Sequence, residues 1–230
     1  MADADGRHGC PGAPTFVARL SVWTHRWPDW RSHSPVHPGF LASALLMLVL
    51  QAGGATVVDA LRYERAAILS GEVWRLVSGH FVHLTWAHCL LNVGGLGALA
   101  AILPASLCAW RCCVVLATLI GLILFAALPG LQFYAGFSGI NYGLAALALL
   151  PRARGEAIAA VVLATLVCRA FWQWFGGVNM DAAVWLGAPP LAAAHLAGLA
   201  VGTVMLCVPM IRRRREAMGS QANPAGPATR

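Results

Sequence analysis

The chain has 230 residues, 59% of them apolar and only 11% charged, with a mean hydropathy of +0.68. That balance excludes an ordinary soluble domain and predicts an all-α membrane protein. The formal net charge of +7 does not point to nucleic acid. Arg212, Arg213, Arg214 and Arg215 form one block directly behind an apolar segment, the position of a membrane-flanking anchor.

Residues 1–38 lack the charged, apolar and small-residue order of a signal peptide. Trp23, Trp27 and Trp30 among arginines predict instead a segment lying on the inner membrane surface. The chain is therefore divided into a cytoplasmic, interfacial extension over 1–38, a six-span domain over 39–211, and a basic, disordered tail over 212–230. A membrane helix needs roughly 20 mainly apolar residues. The charge-free intervals place the first span at about Phe40 to Val58 and the second at about Phe81 to Leu103. Arg111 to Arg152 holds two more, ending near Leu128 and starting near Leu131, because Pro129 and Gly130 break the helix. The fifth runs from about Ala157 to Phe175, with Arg169 near enough to its end to snorkel. The sixth starts at Pro189 and Pro190, residues suited to a helix start, and ends before the arginine block.

Basic residues orient the bundle. Arg7, Arg19, Arg26 and Arg31, then Arg152 and Arg154, then the terminal block all fall on one side of a six-span arrangement, which puts both termini in the cytoplasm. Arg62, Arg65 and Arg75 in the first outer loop run against this assignment. The seven cysteines lie mostly in apolar segments and read as small buried hydrophobes, not as a disulfide framework or zinc site.

The polar residues inside the spans carry the chemistry. By helical rise, Ser138 lies roughly 10 Å below the outer start of span four and His195 about 8 Å below that of span six. The 57 residues between them in sequence do not prevent contact, since both spans enter from the same side. His88 and Asn92, four apart on one helix face, fall about 10 to 17 Å below the start of span two by the same rise. Gly136, Gly139 and Gly143 around the serine, with Gly198 and Gly202 behind the histidine, let the helices that carry them approach closely.

A serine hydroxyl needs a general base, His or Lys. The sixteen basic residues counted as Lys and Arg are all arginine, so the base is a histidine, and His195 starts from the right depth. His88 and Asn92 are then placed to donate to a developing oxyanion. No acidic third member lies at that depth, and Asp181 in the last outer loop is not assigned. A Ser-His dyad is the expected machinery, with no cofactor: the chain has neither a His-Glu-x-x-His zinc motif nor a pair of intramembrane aspartates.

These residues resemble those of the rhomboid family of intramembrane serine proteases. Gly136-Phe137-Ser138-Gly139 resembles its Gly-x-Ser-Gly nucleophile motif, and Tyr142 stands where the family often has an aromatic against the catalytic histidine. Ala194-His195 with Gly198 and Gly202 resembles its last-helix motif. His83, His88 and Asn92 resemble its second-helix pattern, whose last two members support the oxyanion, and Trp74-Arg75 resembles the Trp-Arg pair of its first loop. The likeness covers about residues 40 to 210. It implies a six-transmembrane-helix rhomboid-like bundle, an intramembrane endopeptidase in a bacterial inner membrane, and an active site toward the periplasmic face. Within the family, the compact form and the stretch "ERAAILSGEVWRLVSGHFVHLTWAHCLLN" resemble the rhombosortases. That subgroup implies a membrane-anchored client with an apolar carboxyl-terminal segment, a glycine-rich sorting tail of exported proteins.

Blander readings remain beside these. Ser138 is also what a close helix crossing would carry, bonded to its own backbone, and His195 is also a buried structural histidine. His80 and His83 are expected to be solvated or interfacial, and Trp86 and Trp185 to be belt residues. Two rival functions stand against the protease: a catalytically inactive relative that binds clients, and a metal or haem membrane protein using His80, His83, His88 and His195 as ligands.

Overall fold

The computed structural model describes the backbone of residues 38–103, 109–177 and 180–222. The expected interfacial extension with Trp23, Trp27 and Trp30 lies outside these residues, apart from its last position. The described chain is mostly helical. It opens with α1 (Pro38–Ala52) and α2 (Gly54–Leu61), then a loop region with β1 (Tyr63–Glu64), α3 (Arg65–Leu69) and α4 (Arg75–Ser78). The helices α5 (Trp86–Ala100) and α6 (Ala109–Ala127) follow, then β2 (Phe133–Tyr134), α7 (Ser138–Leu149), α8 (Ala157–Trp174), α9 (Met180–Leu186) and α10 (Ala192–Ala222).

The centre of the fold is α7. Its sequence SGINYGLAALAL is apolar nearly all round, and from Gly139 to Leu149 only Asn141 is not fully buried. Such a helix belongs inside a bundle, not at its edge, and α7 packs against α5, α6, α8 and α10. The α7–α10 crossing is set by glycine. A methyl group on Gly198 would meet the Gly139 carbonyl, one on Gly202 the Gly143 carbonyl, and one on Gly139 would lie 2.9 Å from the Ala194 carbonyl. Bare backbones in mutual contact hold the start of α7 against the start of α10. By contrast α8 buries only Ala159, Ala170 and Gln173, and its exposed Val161, Phe171 and Trp172 give it an outward apolar face.

Among the described residues two helices, Ala109–Ala127 and Ala157–Trp174, are long and apolar enough to cross a membrane. The pair α1 and α2 would add a third if it counted as one span, but the chain bends by 117° between them. That bend corrects the expected first span, which stops at Ala52. Gly54, at φ +68°, takes a left-handed turn that other residues disfavour. The remaining apolar helices, Trp86–Ala100, Ser138–Leu149 and Ala192–Cys207, are shorter.

Each of these departs from its expected boundary for a local reason. Span two begins at Trp86, not Phe81, because Thr85 caps the helix by accepting the His88 N–H. Span four begins at Ser138, not Leu131. Residues 131–137 are not helical, and β2 pairs antiparallel with β1, Tyr134 opposite Tyr63. Span six begins at Ala192, beyond the prolines, and α10 continues through the arginine block to Ala222. The backbone over 212–222 is therefore helical and not the expected disordered tail, whose last residues, 223–230, lie outside the described residues.

Irregular backbone at membrane depth must be satisfied by protein, and the loop of residues 62–85 does this. The Arg65 N–H donates to the Gln132 carbonyl and the Gly136 N–H to the Gly79 carbonyl. The Arg65 guanidinium donates to the Phe125 carbonyl at 2.8 Å. Arg75, buried, donates to the carbonyls of Asp59 at 2.8 Å and Arg62 at 3.0 Å and pairs with Glu72 at 2.6 Å. Arg65 and Arg75, two of the arginines that oppose the expected charge asymmetry, thus have structural work in the fold. Among the described cysteines, Cys89, Cys112 and Cys113 are buried, whereas Cys168 and Cys207 are exposed, contrary to expectation.

Candidate active site

Ser138 is the first residue of α7, delivered by the extended run that β2 begins. Gly136, two residues earlier, holds φ +131°, and a methyl group there would lie 2.8 Å from the His88 imidazole. Only glycine lets the loop pass that ring. The loop is fixed further by the Phe137 N–H, which donates to His83 Nε2 at 3.3 Å, and by the Tyr134 hydroxyl, which donates to the Gly136 carbonyl at 2.6 Å.

His195, in the first turn of α10, is buried. Its Nε2 lies 2.9 Å from Ser138 Oγ. The Tyr142 ring is stacked on the imidazole, with centroids 4.2 Å apart and planes 9° from parallel. Serine and histidine therefore meet, although neither depth is the one expected: both were counted from helix starts that lie several residues too early.

His88 and Asn92 stand on α5 and line the same cavity of about 550 Å³ as Ser138 and His195. Asn92 Nδ2 donates to the His88 carbonyl at 3.0 Å. Asn141 Nδ2 donates to the Asn92 carbonyl at 3.0 Å and to its Oδ1 at 3.3 Å. The amide oxygen of Asn92 is thereby turned to Asn141, and its nitrogen keeps a hydrogen beyond the one given to His88. At the start of α7 the N–H groups of Ser138, Gly139 and Ile140 precede the first helical acceptor, since the bond from the Asn141 N–H goes to the Phe137 carbonyl. Of these, the Gly139 amide lies within reach of the Tyr134 hydroxyl, and the others are the ordinary unpaired donors of a helix N-terminus.

The other expected residues take structural places. Gly139, Gly198 and Gly202 form the helix crossing. Trp74 is exposed and Arg75 buried; neither lines the cavity, and Arg75 fastens the loop. His80 and His83 are not solvated or interfacial, as expected, but buried. Non-helical residues 79–85 are folded under the loop, His80 edge-on to Tyr134 and His83 edge-on to His88. The rival ligand set does not converge: among the described residues no group of three or more His, Cys, Asp or Glu is arranged to hold a metal ion. Trp86 and Trp185 are exposed, and Asp181 lies on α9 away from the cavity lining.

Two residues escape the sequence reading, and a third, Arg169, is expected there only to snorkel. Gln173 Oε1 lies 2.8 Å from His195 Nδ1, Asn141 orients Asn92, and Arg169 lines the cavity beside Tyr142 and His195. The available signal is an amide or charge inside an otherwise apolar helix, which rarely stands there without a partner.

The family model described as Rhomboid domain matches residues 70–212. No curated protein matches the chain.

Proposed function

Because the chain belongs to the rhomboid family, whose members are intramembrane serine proteases, we propose that it is an intramembrane serine endopeptidase with Ser138 as nucleophile and His195 as general base. The observation that carries this reading is the 2.9 Å separation of His195 Nε2 and Ser138 Oγ at the wall of a cavity. Hydrogen-bond contact between base and nucleophile is the geometry that activation requires.

The client segment enters the cavity in extended form. As Ser138 Oγ bonds to the scissile carbonyl carbon, its proton passes to His195 Nε2. The carbonyl oxygen becomes an oxyanion, held by His88, the remaining Asn92 hydrogen and the backbone amides near Ser138. The C–N bond then breaks, and His195 returns the proton to the leaving amine. Water, deprotonated by His195, hydrolyses the acyl enzyme and restores the hydroxyl.

The client is a membrane-anchored protein with an apolar carboxyl-terminal segment, as the rhombosortase likeness implies. The cavity favours that class, since its wall carries small and apolar residues, among them Gly95, Ala135, Ala145 and Leu166. A glycine-rich segment presents little side chain to such a wall. The protein is embedded as six spans in a bacterial inner membrane, with both termini cytoplasmic and the cavity toward the periplasm.

Co-expression with a membrane-anchored reporter ending in a glycine-rich, apolar and basic tail tests the reading. Release of the reporter by the parent and not by Ser138→Ala supports it. Equal release by both, or none by either with the protein folded in the membrane, contradicts it and favours the inactive client-binding relative.

A further inference from the structure

On the reading that Ser138 and His195 are the reacting pair, we propose that Gln173 is a positioning residue that fixes the tautomer and in-plane rotation of the His195 ring. Gln173 occupies the last turn of α8 and is buried, while its neighbours Trp172 and Trp174 are exposed. Its side chain is the inward one of a helix end that otherwise faces out. The amide oxygen Oε1 lies 2.8 Å from Nδ1. With Oε1 as the amide atom facing the ring, and an amide oxygen only accepting, the short contact places the ring proton on Nδ1. Nε2 is then left with a lone pair, directed at the Ser138 hydroxyl 2.9 Å away.

The opposite tautomer is disfavoured twice. It would oppose two lone pairs at Nδ1 and Oε1, and it would face the serine with an N–H that can take no proton. Tyr142 does not supply this control. Stacked at 9°, it limits tilt of the imidazole but leaves rotation within the ring plane free. The Gln173 bond fixes that rotation.

A neutral amide also suits the surroundings. The charged or titratable groups near the imidazole are Arg169 on α8, Tyr142 on α7 and His88 on α5, with no carboxylate among them. When His195 takes the serine proton, Nδ1–H bears more positive charge and its bond to Oε1 strengthens. The orienting role of a triad carboxylate is thus filled without burying an anion.

The test is nitrogen-15 NMR of the histidine side chains in the detergent-solubilised full chain, for the parent, Gln173→Met and Gln173→Glu, with His195→Gln to identify the signal. Labelling rates with a serine-directed fluorophosphonate accompany it. The parent should show His195 protonated on Nδ1 alone. Gln173→Met should give a tautomer mixture and label about 10- to 100-fold more slowly, the usual cost of losing an orienting partner. Gln173→Glu keeps an acceptor, supported by Arg169 one turn earlier, and should recover both signals. A parent His195 carrying its proton on Nε2 would overturn the proposal whether or not Gln173→Met folds. So would a folded Gln173→Met with the parent's tautomer and rate. If the tautomer responds as stated but even the parent does not label, positioning stands and the protease reading fails.

Discussion

His195 Nε2 lies 2.9 Å from the Ser138 hydroxyl, and the proposed reaction needs both groups. Ser138→Ala removes the nucleophile and His195→Ala the base, so either should abolish turnover while the thermal transition of the detergent-solubilised protein stays near that of the parent. Asn92→Ala takes away one oxyanion donor and should leave a residual rate, lower by roughly 100- to 1,000-fold, measured as kcat on a reporter client. Gly136→Ala should be nearly as damaging. The added methyl both opposes a φ of +131° and presses on the His88 ring. The rate of every active variant should fall as the pH is lowered, because protonation removes the lone pair of the base.

At the level of elements, the site depends on two devices that touch no substrate. The first is the α7–α10 crossing. Gly198→Ala drives a methyl into the Gly139 carbonyl, and such overpacking typically costs about 1–3 kcal/mol. A lowered thermal midpoint with loss of activity should follow. The second is the loop of residues 62–85. Arg75→Ala leaves the carbonyls of Asp59 and Arg62 without their donor, at about 1–3 kcal/mol for each group left buried and unsatisfied. Its midpoint should fall, but labelling of Ser138 in the folded fraction should persist, which separates this residue from the reacting pair.

These elements also show what a sequence carries and what it hides. The approach of Ser138 to His195 is legible, because the absence of lysine leaves only histidine as a base and because helix order brings the two segments in from one side. Their depths are not legible. Helical rise is applied across residues 131–137, which are not helical and of which Phe133 and Tyr134 pair with β1, and across Pro189 to Leu191, which precede the helix. Both errors lengthen the same end of a helix, by seven and by three residues, yet the two side chains still meet. Gln173 is hidden for another reason: in FWQWF it looks like a helix end at the interface, and only the rotation of α8 turns it to the imidazole. The bend after Ala52 is a property of Gly54 that an apolar count overlooks.

For the whole molecule, Ser138 and His195 share one cavity with residues of α5, α7, α8 and α10. The helix α7 is roughly 18 Å long at 1.5 Å per residue, short of a hydrocarbon core of about 30 Å. On the proposed six spans with cytoplasmic termini, a reporter that is active only in the periplasm should stay silent when fused to Arg230 and become active when inserted after Gly71. The reverse pattern would invert the orientation. The central claim, however, is that this half-buried serine is activated. Exposure of the detergent-solubilised parent, Ser138→Ala and His195→Ala proteins to a fluorescent serine-hydrolase probe tests it most directly. Labelling of the parent alone is the predicted result; a folded parent that stays dark, or a His195→Ala variant labelled as fast as the parent, would contradict it.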